Sequence, residues 1–396
     1  MHSDRFHRAC WWGGSLLLLV LGCDTEGTTL YDPERTSKPD PVLNAIAPQG
    51  QAFAAVDVLT LTGQNFSPSV DENFVYFEEQ RGTVLEASPT QLRVLPPNVV
   101  GEALSVRVSV LGAEAFSNPL SYRLDAPAEA FGGIATGEEP FGLTTDAQGN
   151  LYMSLFTNGV SSGIKKLAPD GTRSDFITST FKWDGLRWGP DGLLYGVRSV
   201  RAVFRYPASG GATAETWAVL PDNALRLLAL DFDDGGNLWA AGAGSNLYRI
   251  DANKTVTAYP FVATVRALKV YNGFLYAAAQ QDGAYAIFRF PLTASGDLGP
   301  AETYFDFASE VDAVANIFSM AVATTGELFL GTDLAADPVV VVAPDGSWSK
   351  LHPTVLRPTA IALAWGTAPF LYMSGGRTEA TEPALTRINT RREGVR

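Results

Sequence analysis

Cysteine and histidine are nearly missing from this chain: its 396 residues carry two Cys and three His. Zinc sites and thiol nucleophiles draw on those side chains, so both chemistries lack their usual material. Charge is sparse as well, at 18%, and it is unbalanced, with 29 Lys and Arg against 42 Asp and Glu and a formal net charge of −13. An acidic chain is a poor partner for nucleic acid, whose phosphates need clustered Lys and Arg. No apolar run approaches the roughly 20 residues that span a bilayer as a helix. What is present is a hydrophobic content of 46%, with 38 Gly and 24 Pro. That is too apolar for disorder, and the length suggests two domains or three.

Arg5 and Arg8 precede a short apolar stretch from Trp11 to Gly22, which is the layout of a signal peptide. The stretch ends Val20-Leu21-Gly22-Cys23, which resembles the lipobox of bacterial lipoproteins. The resemblance implies cleavage after Gly22 and lipidation of Cys23. The protein would then be held at a membrane of the cell envelope, periplasmic or at the cell surface, since two or more acyl chains anchor stably. The alternative is an ordinary secretory signal that contains a cysteine. Loss of residues 1–22 removes Cys10, His2 and His7, leaving no free thiol in the folded part and one histidine, His352. Net charge becomes −14, with 27 basic and 41 acidic residues. His352 sits in Lys350-Leu351-His352-Pro353, which reads as a surface loop between strands; a Ser-His-Asp triad would have to use it. Residues 23–40 are mostly polar without apolar periodicity and read as a flexible tether.

Residues 41–124 read as a small β-sandwich. Leu104, Val106, Val108 and Val110 alternate with Ser105, Arg107 and Ser109, a period of two that marks a strand with one face in a core. Val56, Val58, Thr60 and Thr62 alternate with Asp57, Leu59 and Leu61, and Phe74-Val75-Tyr76-Phe77 makes another strand. Short strands between Gly, Pro and Asn turns suit a sandwich. Pro48-x-Gly50, Leu59-x-Leu61-Thr62-Gly63-x-Asn65-Phe66, Val75-x-Phe77, Val94-x-x-Pro97 and Ser117-Asn118 resemble the IPT/TIG immunoglobulin-like family. Gly63 is expected in a turn conformation that a side chain would oppose. The resemblance implies a spacer or binding platform with no catalytic residues.

Residues 126–396 repeat themselves. Leu followed by an aromatic recurs at Leu151-Tyr152, Leu194-Tyr195, Leu238-Trp239, Leu275-Tyr276, Leu328-Phe329 and Leu371-Tyr372. A spacing near 44 residues fits a four-stranded propeller blade, so six anchors imply a six-bladed β-propeller and an all-β chain. In the first repeat, strands are expected at 141–145, 150–156, 163–167 and 174–177. Ala360, Ala362 and Ala364 alternate with Ile361 and Leu363, as a crowded propeller centre requires. The last repeat lacks a fourth strand at its end, and residues 128–134 are expected to supply it and close the ring, removing two open sheet edges. Pro140-Phe141-Gly142-Leu143-x-x-Asp146-x-x-Gly149-Asn150-Leu151-Tyr152 resembles the NHL repeat, and the whole segment is similar to NHL and gluconolactonase-like propellers.

Asp231-Phe232-Asp233-Asp234-Gly235-Gly236-Asn237 has the look of a calcium loop but lacks its order and its terminal Glu. Asp146 and Asp191 precede the same turn in other repeats, so hairpin capping explains the run. Aligned on the anchors, Glu139, Lys182, Arg226, Thr264, Asn316 and Arg357 should ring the propeller mouth, with Asp184 and Arg266 nearby. The gluconolactonase-like resemblance implies a divalent cation held by a Glu, an Asn and an Asp. Glu139 and Asn316 match, but the Lys and Arg residues beside them would repel a metal. A cationic mouth would suit an anionic glycan or carboxylate; the alternative is that these cations pair with Glu138, Glu139 or Asp184. Trp183, Trp188 and Tyr206 would either stack on a sugar or fill the blades.

These features point to an envelope-bound, non-catalytic protein that recognises a glycan, an envelope component or a partner protein through the mouth. No cofactor, metal or nucleic acid is expected. A metal-dependent lactonase or sugar hydrolase is the runner-up, and a plain spacer the third reading.

Overall fold

The computed structural model describes residues 36–178, 181–211, 213–293, 295–356, 359–377 and 382–395. Cys23, the signal segment and most of the tether lie outside them, as does Arg357. The chain is all-β, an immunoglobulin-like sandwich followed by a six-bladed propeller; among the described residues the one α-helix is the single turn Phe307–Glu310.

The sandwich stacks a four-stranded sheet on a five-stranded one. In Gly101–Val110 every second residue from Leu104 onward is buried, and in Leu59–Gln64 the buried set is Leu59, Leu61 and Gly63. These inward rows meet Val75, Phe77, Leu92, Val94 and Leu124 in one core, each large side chain contributing about 1.5–3 kcal/mol by leaving water. Gly63 differs from expectation. It lies inside its strand, and a Cβ there would run into the Val42 carbonyl and the Phe66 ring. The left-handed backbone belongs to Asn65, at φ 61°. The sandwich also begins earlier than Pro41. Lys38 bridges to Ala113 and its ammonium lies 2.7 Å from Glu72, while the Asp40 carboxylate accepts the amides of Glu114 and Ala115.

Blade 1 comprises Glu138–Thr145, Leu151–Thr157, Val160–Leu167 and Arg173–Ile177 in simple meander order. Blades 2 and 5 repeat it over residues 185–219 and 317–350. Blades 3 and 4 share one continuous sheet because Leu238–Ile250 and Val256–Tyr271 each pair first with one neighbour and then with the next. Blade 6 is Ala360–Trp365, Phe370–Gly375 and Ala384–Asn389, edged by Ala128–Ala130 from the other end of the propeller. Of the segment 128–134, residues 128–130 form the strand, and the Phe131 amide adds one more bond to the Leu385 carbonyl. The six anchor leucines are all buried, because each stands first or second in the second strand of its blade, between two packed sheets.

The aromatic partner of the anchor explains why the repeat keeps its turn. The Asp146 carboxylate accepts the amides of Gln148 and Asn150 and, at 2.9 Å, the Tyr152 hydroxyl. Asp191 likewise takes Leu193 N and the Tyr195 hydroxyl, and Asp233 takes Asn237 N and the Trp239 indole N–H. One carboxylate thus caps the hairpin and fixes the ring that fills the blade.

Candidate functional site

The six innermost strands run side by side around a narrow channel. Because each starts at the same opening, that opening collects their N-terminal ends. Links between blades, and the hairpins joining second to third strands, lie on that side. Glu139, Lys182, Asp184, Arg226, Arg266 and Asn316 are all placed there.

Their side chains are already engaged. Lys182 Nζ lies 2.8 Å from Asp184 Oδ1 and 4.6 Å over the Phe141 ring. Arg226 folds back on its own loop and donates to the carbonyls of Asn223, Ala224 and Leu225. Glu139 pairs with Arg377 at 3.1 Å, and the Asn316 amide group donates to Asp333 at 2.6 Å. Arg266 makes one long bond, 3.4 Å, to the Tyr285 hydroxyl. Among the described cations, Lys182 is thus held by a carboxylate and Arg226 by carbonyls of its own loop, while Arg266 has only its long bond to a hydroxyl. Glu139 and Asn316 each hold a different partner rather than converging on one ion.

The aromatic trio also differs from a stacking platform. Trp183 and Tyr206 are buried, packed edge to face at 5.7 Å, and Trp188 lies against Tyr152. Phe181, in contrast, is exposed, with the Arg198 guanidinium 3.6 Å from its ring centre. His352, expected on a loop surface, is covered: its Nε2 donates to the Asn389 carbonyl at 2.8 Å, and its ring meets Phe53 of the sandwich edge-on at 5.6 Å.

Composition did not reveal where the exposed apolar side chains gather. Among the described residues of the propeller they are Val160, Phe181, Val219, Val262 and Val314, 47–87% exposed. Val160 begins the third strand of blade 1 and the other four precede successive blades, so all five fall on the mouth side. Val262 borders a cavity of about 540 Å³ walled by Gly244, Thr264, Gln280, Gln281 and Asp282. The channel itself is slight: voids of about 70 and 20 Å³ follow one another down its axis, room for a few water-sized particles and far below a usual organic-ligand pocket of about 300 Å³ or more.

On the opposite side, Asp233, Asp234, Asn237, Thr293 and Ser295 wall a cavity of about 330 Å³. Asp233 there is committed to its turn, capping it as Asp146 and Asp191 cap theirs.

Residues 41–123 match the IPT/TIG domain. No curated protein matches the chain. Among solved structures, the chain is similar to a putative phosphatase from Bacteroides thetaiotaomicron, at 10% identity and a TM-score of 0.59, over 90% of this chain and 98% of that one. An auxiliary nutrient binding protein from the same organism is similar at 11% identity and a TM-score of 0.51, over 90% and 98%. A luciferin-regenerating enzyme is similar at 14% identity and a TM-score of 0.54, over 68% of this chain and 97% of that one. Likeness at such identities is one of fold. The N-terminal unit is thus an IPT/TIG domain, and it is joined to a six-bladed β-propeller.

Proposed function

We propose that the protein is a non-catalytic binding protein of a bacterial cell envelope, lipid-anchored through Cys23, whose propeller mouth docks a partner protein. The observation that carries this reading is the grouping of Val160, Phe181, Val219, Val262 and Val314 on one side of the propeller. Scattered apolar residues need no explanation, but a one-sided set marks an interaction surface. Four of the five are aliphatic, which suits the apolar heart of a protein interface better than a sugar face. The polar cavity beside Val262 offers amide and carboxylate partners to a backbone segment. The similar auxiliary nutrient binding protein supports binding as the role. Lactonase or sugar-hydrolase chemistry, the rival reading, would require Glu139 and Asn316 to leave Arg377 and Asp333 and converge on a metal.

Two measurements test the proposal. Cys23→Ser releases a lipid-anchored protein from the membrane fraction; a variant that stays there refutes the anchor. Val262→Asp with Val314→Asp abolishes recovery of the partner without changing the melting temperature, and the wild-type complex survives chelator. Full recovery by the double variant refutes the docking surface.

A further inference from the structure

Three successive innermost strands place charged side chains deep in the channel. Arg187 comes from blade 2, Asp231 from blade 3 and Lys269 from blade 4. Asp231 is the committed member. Its Oδ1 lies 2.6 Å from Arg187 Nε and its Oδ2 accepts the Val270 amide at 2.9 Å. The Lys269 ammonium makes no hydrogen bond or ion pair among the described residues, although the residue borders both channel voids. Two cations therefore face one carboxylate, whose Oδ1 lies beside Arg187 without an aligned hydrogen bond, and the cluster carries one positive charge more than it carries negative.

The surroundings sharpen this imbalance. Leu143, Leu186, Ala321 and Leu363 share the inner void with Thr144, Thr145, Arg187 and Lys269, and an ammonium enclosed there without a carboxylate of its own is costly. Trp365 borders the same void, and its indole N–H is buried without an acceptor. The far end is shut by the tail: Gly394 bridges to Ala323, the Val395 amide donates to the Val322 carbonyl, and Val395 itself borders the void. Access is from the mouth, past Asp184 and Arg266.

We propose that the channel binds a small inorganic anion of the halide class where the two voids meet, held by the Lys269 ammonium and the Arg187 guanidinium. Size excludes a sugar acid or a nucleotide, and the surplus positive charge selects an anion over water. Burial and the neighbouring Arg187, partly offset by Asp231, push Lys269 down to about 8, so it remains protonated at neutral pH. The site is independent of what docks on the rim.

Bromide is the probe, since it is halide-sized and visible by anomalous scattering. Crystals of the protein grown in sodium bromide should show one anomalous peak in the channel beside Lys269 and Arg187, and crystals of Lys269→Met should lack it. In solution, bromide at tenfold its dissociation constant should raise the melting temperature by about 2–4 °C over sodium gluconate of equal ionic strength, and Lys269→Met or Lys269→Gln should erase the difference. A wild-type channel without a peak, or a peak or halide shift that survives in a folded Lys269 variant, overturns the proposal. The wild-type crystal decides the matter even if both variants fail to fold.

Discussion

Asp57 in the sandwich and Arg391 beyond the last propeller strand form a two-pronged ion pair, with Nη1–Oδ1 at 2.9 Å and Nη2–Oδ2 at 2.6 Å. The same guanidinium lies 3.7 Å from the centre of the Phe53 ring, whose other contact is His352. The two domains thus meet through one salt bridge laid over an aromatic ring. Parallel bonds of this kind fix orientation as well as contributing energy.

Arg391→Ala should free the domains to reorient. Burial by itself would raise the Asp57 carboxyl, but the Arg391 bonds and the Phe53 amide outweigh it and hold the carboxyl below its ordinary value. The pair's contribution is therefore complete above about pH 4 and is lost only as pH falls through the lowered value. Small-angle scattering should show a broader distribution of shapes for Arg391→Ala at pH 7 than for wild type. Identical profiles contradict a clamping role.

His352 gives the same interface a second pH dependence. Burial, helped by Arg391, lowers its pKa despite the bond to the Asn389 carbonyl. The unfolded chain takes up its proton below about pH 6.5 while the folded chain resists, so stability falls as pH drops below that point. Urea titrations at pH 7.5 and 5.5 should show the loss, and His352→Gln should shrink it.

Lys269 acts at the alkaline end. Its folded pKa of about 8 lies below the ordinary 10.5. Below pH 8 both states hold the proton and no slope arises. Between about pH 8 and 10.5 the unfolded state binds more protons, so stability should rise with pH, by up to about 3 kcal/mol. Lys269→Met should flatten that rise in gluconate buffer. An unchanged slope in the variant would mean that the lysine is better solvated than its place in the channel implies.

Asp146→Ala should cost about 2 kcal/mol, because the carboxylate serves two amides, the Asn150 side chain and the Tyr152 hydroxyl, and its removal leaves a part-buried hydroxyl unpaired. Thermal melts check this. Asp170→Ala, whose carboxylate lies exposed in the adjoining turn and takes the Thr172 amide, should cost less.

The architecture was legible because it is written locally and then repeated. Leu151-Tyr152 and its five counterparts combine a buried leucine with an aromatic ring, and the preceding aspartate fixes that ring in three blades. A reader of one dimension can see such a unit. The charged residues of the mouth were located but their state was not. Arg226 turns onto carbonyls one to three residues before it, a choice of rotamer that residue type does not carry. Asp231 was missed as a channel residue because its partner, Arg187, belongs to another repeat, and only the ring brings them to 2.6 Å. His352 read as exposed because nothing near it in sequence covers it; the cover is Phe53, 299 positions earlier. The five rim residues stand alone in sequence and become a surface only when successive links between blades are set on one side.

Site-directed photo-cross-linking in living cells tests that surface most directly. A photoreactive residue placed at Val219, Val262 or Val314 should yield the same discrete cross-linked species, and one placed at Asp345 or Asp170, in turns on the opposite side, should yield none. Cross-links from both sides, or from Asp345 and Asp170 alone, would contradict a mouth that docks a partner.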